Sequence, residues 1–181
     1  MKSKITALFI SGIFMLILIP QQSAAADKAI INKVVIGKNP KSKEDYKFSL
    51  GEVVFFKRNS DGSFLAKTGE WQEEFNIPPN ALIMQSAFKP IEKWDKERIF
   101  DCVIGDYHCK YLIRNDGSFK LEESSSRKVI NGKLHKNGNL IWARRNNKPN
   151  EFSQGDIFIL KTNGKLCMKP VGFLACDETL R

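Results

Sequence analysis

The chain predicts an all-β fold: small barrels built from hairpins, a second disulfide-stapled β-unit, and room for one short helix. Three observations carry that prediction. Apolar and β-branched runs of about four to six residues recur along the chain, among them "NKVVIG", "GEVVFFK", "SFLAK", "IFDCVI", "CKYLI", "NLIWAR" and "DIFIL". Between several of them stand "NSDG", "NDG", "KNG" and "TNG", whose Asn, Asp and Gly accept the positive φ that tight hairpin turns demand. Four cysteines, Cys102, Cys109, Cys167 and Cys176, form an even set in a chain that opens like an export signal.

Residues 1–26 read as that signal. Lys2 and Lys4 form a positive start, Ala7 to Ile19 an apolar stretch of 13 residues, and "PQQSAAA" a small-residue end. Ala24 and Ala26 place the cut before Asp27, with a cut one residue earlier as the near alternative. The apolar stretch is short of the roughly 20 residues that a membrane span requires. No cysteine lies near the cut, which disfavours a lipid anchor. The 181-residue chain carries 29 Lys and Arg against 20 Asp and Glu, a net charge of +9 that falls to about +7 without Lys2 and Lys4. The remainder divides into a β-barrel over 27–89, a linker or short helix over 90–98, and a cysteine-bearing β-domain over 99–181. For the linker, Pro90 at a first helical position and Glu92 four residues before Lys96 allow a helix over "PIEKWDKER".

In the first unit, "FSLGEVVFF" (Phe48 to Phe56), "SDGSFLAK" (Ser60 to Lys67) and "FNIPPNALI" (Phe75 to Ile83) follow one another in order. This stretch resembles a Src-homology-three barrel of the bacterial envelope type, over about a third of the mature chain. The departures concern function. Where the family's peptide groove holds a Trp and a Tyr, this chain has Ser63 and Ala81. Flat aromatic walls are what a polyproline helix packs against, so proline-rich recognition is not expected. Tyr46 and Trp71 are the aromatics left to line a different surface, with Phe64 assigned to the core. Envelope relatives of this barrel commonly bind cell-wall peptides, which is what the resemblance implies here. No wall-binding residue carries over.

The cysteines admit three pairings. Cys102–Cys109 and Cys167–Cys176 are favoured, each closing a short loop with a turn at its centre. A zinc site is the alternative, with spacings unlike C-x-x-C and only two histidines to complete it. No metal and no other cofactor is expected.

From Ser124 to Asn150 there is no Asp or Glu. The stretch holds Arg127, Lys128, Lys133, Lys136, Arg144, Arg145 and Lys148, with His135 and Trp142 between them. If "RKVINGK" and "NLIWARR" pair through a turn at His135–Asn139, the cations gather on one edge and attract anions. Outside the membrane those would be an anionic envelope polymer or an acidic protein surface, with no nucleic acid expected. The plainer alternative is an edge strand that lysine keeps from aggregating.

Catalytic signals are weak. His108 neighbours Cys109 in "GDYHC", but adjacent strand residues face opposite ways and an oxidised Cys109 is no nucleophile. Neither Glu73–Glu74 nor Glu122–Glu123 comes with the sign of a cleft. The expected function is a non-catalytic, periplasmic or secreted envelope binding module with no membrane span after cleavage, recognising cell-wall material or another envelope component. The alternative is a periplasmic inhibitor or immunity protein, blocking an enzyme through the basic surface or through the "KPVGF" loop (Lys169 to Phe173).

Overall fold

In the computed structural model the glycines of the four turn motifs, Gly62, Gly117, Gly138 and Gly164, take φ of 85°, 76°, 57° and 78°. Each turn joins or closes antiparallel strands, and the fold is all-β. The structure describes residues 27–69, 73–104, 107–124, 126–153, 155–168 and 175–176, leaving out the side chains of 102–104, 107, 175 and 176. Residues 1–26, read above as an export signal, Trp71 and the "KPVGF" loop lie outside the described residues.

The first sheet contains β1 (Asp27–Ile31), β2 (Val35–Lys38), β3 (Asp45–Phe48), β4 (Val53–Arg58), β5 (Phe64–Lys67), β6 (Phe75–Ile77) and β7 (Leu82–Ile83). Their order is β3-β2-β6-β5-β4-β1-β7, and a single 3-10 turn at Pro79–Ala81 leads from β6 into β7. Ala29, Ile31, Phe48, Val54, Ala66, Phe75 and Ile77 fill its interior. The β2–β3 hairpin closes onto that core because Gly37 has no side chain. A Cβ there would stand 2.6 Å from the Phe48 ring and 2.9 Å from Phe75.

The second sheet contains β8 (Lys89–Pro90), β9 (Arg98–Ile104), β10 (Tyr107–Ile113), β11 (Ser118–Glu123), β12 (Lys128–Asn137), β13 (Leu140–Arg145), β14 (Ile157–Leu160), β15 (Leu166–Met168) and β16 (Ala175–Cys176). From β9 to β16 each strand pairs with the next, and β8 adds to β12. The meander curls into a half-barrel. Phe100 of β9 meets Phe158 of β14 at 5.4 Å between ring centroids, although four strands separate β9 from β14 in the sheet. Tyr111, Ile113, Leu121, Leu134 and Ile141 complete this concave core. Across the open side, Arg98 Nη1 donates to the Gly164 carbonyl at 2.7 Å. A third cluster lies between the two sheets. Ile30 and Val53 of the barrel pack there with Phe88, Leu140, Trp142, Phe152, Ile157 and Ile159.

Residues 90–98, read as a linker or a short helix, form no helix. The N–H of Ile91 donates to the Leu134 carbonyl and that of Trp94 to the Asn115 carbonyl, so neither serves a local helical turn. Burial of Ile91 and Trp94 in the half-barrel core decides the conformation. The basic stretch is also no sheet edge. β12 pairs with β11 and then β8 on one side, and with β13 on the other.

The cysteines stand in register. Cys102 lies opposite Cys109 across β9–β10, and Cys167 opposite Cys176 across β15–β16.

Candidate functional site

The strand pairing of β9 to β12 sets out a row of side chains on the outer face of the half-barrel. Asp101 lies opposite Lys110, Lys110 opposite Glu122, and Glu122 opposite Val129. Directly opposite residues in an antiparallel sheet share a face, so charges of both signs stand side by side. At one end of the row, just before β12, Arg127 takes a φ of 52°, a left-handed conformation uncommon for a long side chain. Arg127, Lys128 and His108 border a shallow groove of about 540 Å³ whose walls also include Asp101, Lys110, Glu122 and Glu123. The Ser124 N–H donates to the His108 carbonyl at 2.9 Å, holding the end of β11 against β10.

The two carboxylates from β11 differ. Glu122 is exposed, and its carboxyl is held below the ordinary range chiefly by a hydrogen bond and the charge from Lys120, 2.7 Å away, with Lys110 adding to the effect. Glu123 turns inward. It accepts from Ser126 Oγ at 2.8 Å and stands 3.7 Å from Arg145 Nη1. Neighbouring positions on a strand face opposite ways, so the two carboxyls point apart although both residues border the groove. Glu73 and Glu74 also separate, one accepting from Asn39 Nδ2 and the other pairing with Lys57 at 2.8 Å. His108 is exposed while Cys109 is buried, as alternation requires.

The basic stretch disperses. Arg127 and Lys128 join the groove. Lys133 donates to the Asp116 carbonyl at 2.8 Å and faces Glu92 at 3.7 Å. Lys136 is exposed opposite Lys89 of β8. Lys148 stands 3.6 Å from Glu151. Arg144 and Arg145 part company, because successive strand residues face opposite sides. Arg144 donates to the Pro149 carbonyl at 2.7 Å and lies over the Trp142 ring, whereas Arg145 enters the half-barrel.

Trp142 and His135, expected between exposed cations, are 2% and 7% exposed. The strand runs on to Asn137, and the barrel's connection covers its outer face. His135 pairs in register with Pro90, and its ring packs against Trp142 at 5.6 Å. Burial and the nearby Arg144 and Lys133 charges hold its pKa below the usual histidine value, against a bond to the Lys133 carbonyl that raises it. Tyr46 is half-buried, its ring against Phe48 and Phe75 and its hydroxyl donating to Glu52 at 3.0 Å. It serves the barrel core first. Ala81, where the Src-homology-three groove would hold an aromatic, is fully buried.

Sequence reasoning missed a buried polar network. Asp156 is fully buried before β14, and its Oδ1 accepts from Tyr111 Oη at 3.0 Å and from Arg145 Nε and Nη2 at 2.9 and 2.7 Å. Oδ2 is buried without a hydrogen-bond partner. Burial pushes this carboxyl above the ordinary carboxylate value, more than Arg145 and Tyr111 pull it down. The only signal in the sequence was one acid ahead of an apolar strand, "GDIFIL".

Among the described residues, no three His, Cys, Asp or Glu side chains are grouped to hold a metal ion, and no helix is long and apolar enough to cross a membrane. No protein-family model, curated protein or solved structure matches the chain.

Proposed function

We propose that this chain is an exported, non-catalytic envelope binding module whose half-barrel groove takes a cell-wall peptide. The observation carrying the reading is the mixed charge of the groove: Arg127, Lys128 and Lys110 on one side of the account, Asp101 and Glu122 on the other. Such a groove suits a ligand carrying carboxylates and an ammonium together, as wall peptides do. A plain polyanion would meet the two carboxylates as well as the cations. The barrel supports the resemblance to Src-homology-three domains through its strand order and the 3-10 turn between β6 and β7.

The test is co-sedimentation of the chain from Asp27 onward with purified peptidoglycan sacculi. Arg127→Glu with Lys128→Glu is expected to weaken binding about tenfold, close to 1.4 kcal/mol for two exposed contacts turned repulsive. Lys136→Glu, exposed elsewhere on β12, serves as the control. Equal loss in both variants, or none in either, would sink the groove reading. Absence of pelleting by the wild-type chain would turn the search to a protein partner.

Disulfides Cys102–Cys109 and Cys167–Cys176 belong to the same proposal. Directly opposed residues in antiparallel strands have Cα atoms within about 5.5 Å, which is disulfide range. Cys109 and Cys167 are buried, and among the described residues no cysteine is free. Each short loop closed this way is worth roughly 2–3 kcal/mol in the chain-entropy picture. Alkylation of the unfolded, unreduced protein should add no label, and four labels per chain would overturn the pairing.

A further inference from the structure

The two most exposed large apolar side chains among the described residues are Val34 at 58% and Ile36 at 64%. Ile36 projects from the outer face of β2, and Val34 is exposed just before the strand begins, two residues away. Ile36 lies opposite Lys47, and Lys38 opposite Asp45. The inner face, with Val35, Tyr46 and Phe48, is given to the barrel core. Lys33, Lys38, Lys41, Lys43 and Lys47 are all exposed around the apolar pair, against only Glu44 and Asp45. Among the described residues none of these five lysines makes an ion pair. The hairpin is also preformed. Asn39 Oδ1 accepts from the N–H groups of Lys41 and Ser42 at 2.8 and 3.0 Å, and the Asn39 N–H donates to the Glu44 carbonyl at 2.8 Å.

We propose that this hairpin docks the protein on an anionic lipid surface. Val34 and Ile36 enter the headgroup layer, and the surrounding lysines hold lipid phosphates. A stable protein partner would call for an interface of about 1,000 Å² with good complementarity, which two projecting aliphatic side chains do not provide. A lipid surface asks for less: shallow apolar insertion together with several lysines close to negative charge. The sign of the charge selects anionic lipid, and it repels a second copy of the same hairpin. Lysine on edge strand β3 discourages addition of a further strand, leaving the face of the hairpin as the contact.

The form to test is the chain from Asp27 onward, the same as for sedimentation with sacculi. Its binding is measured by flotation with vesicles of phosphatidylcholine alone and of phosphatidylcholine with phosphatidylglycerol, at low salt. Binding is expected only to the anionic vesicles. Each lysine near such a surface is worth about fivefold, so Lys38→Glu with Lys47→Glu should cut binding by at least about tenfold. Val34→Ser with Ile36→Ser should weaken it several-fold and leave the salt dependence unchanged. The proposal is overturned by equal binding to both vesicles, by absence of binding to the anionic ones, or by binding that survives both pairs of changes. None of these residues lines the half-barrel groove, so sedimentation with sacculi decides that reading separately.

Discussion

Replacing Arg145 by Met is expected to destabilise the protein by about 3–5 kcal/mol, against less than about 1 kcal/mol for Arg144→Ala. The two arginines are adjacent, yet only Arg145 is built into the interior, with two of its nitrogens on Asp156 Oδ1 and a third facing Glu123. Methionine keeps much of the aliphatic volume, so the loss reports chiefly the charge. Without the guanidinium, a carboxylate with no exposed surface and an already unpartnered Oδ2 has no counter-charge. Urea unfolding of the two variants beside wild type reads the difference. The pH dependence follows from the direction of the Asp156 shift. Its folded pKa lies above the ordinary value, so its favourable contribution is full below the unfolded pKa and is lost as pH rises through the folded one. Removing Arg145 raises the folded value further. The Arg145→Met deficit should therefore shrink between about pH 7 and about pH 4, where the carboxyl takes up its proton. Adding Asp156→Asn should recover a large part of the loss at neutral pH. A deficit that stays constant with pH would mean that packing, not the buried charge, sets the cost.

Gly132→Ala should be comparably severe, lowering Tm by about 10 °C if it costs about 3 kcal/mol. Gly132 lies in the middle of β12, opposite Phe119 on one side and Arg145 on the other. A methyl group there would stand 2.2 Å from the Arg144 carbonyl oxygen and 2.4 Å from the Phe119 ring. The carbonyl belongs to the β12–β13 pair and cannot retreat without opening the ladder. Phe119 is 3% exposed and packed on Tyr111 at 5.5 Å, so it has nowhere to turn. The control is Gly62→Ala. Gly62 has a positive φ of 85° but nothing within 4 Å of an added Cβ, and its loss should cost only about 1–2 kcal/mol. Thermal unfolding followed by circular dichroism separates the two. A small shift for Gly132→Ala would mean that the β12–β13 ladder yields more readily than its pairing implies.

The contrast between those glycines marks what local sequence reveals. The turn motifs were legible because Asn-Gly and Asp-Gly carry their conformation in two residues, and the β-rich character followed from the runs between them. The short strands β1, β3 and β6 were not. "DKAII", "DYKF" and "FNI" are strands through the partners they pair with, and those partners lie elsewhere in the chain. The short helix that 90–98 allowed, as the alternative to a linker, satisfied local rules and lost to burial of Ile91 and Trp94. The site shows the same division. Arg127 and Lys128 were visible as charges in a turn. Their place beside Asp101 and Glu122 in one groove depends on the register of four successive strands. Trp142 and His135 looked exposed because nothing within "LHKNGNLIWARR" shows that the other sheet covers that face. Arg145 and Arg144 looked equivalent until the face of each was fixed.

The apolar cluster shared by the two sheets also orders the way the chain is made. Ile30 and Val53 leave the ribosome early, while Leu140, Trp142, Ile157 and Ile159, which cover them, emerge about a hundred residues later. The ion pair between Lys28 and Glu151 spans 123 positions. Closing contacts over such distances is slow, and a strand left uncovered meanwhile is open to association with other chains. The barrel thus gains the cover for its outer wall only after nearly all of the chain has been synthesised. A chain cut short before β13 would present a bare apolar flank, and full-length protein should refold more slowly than its small β-hairpins alone would dictate.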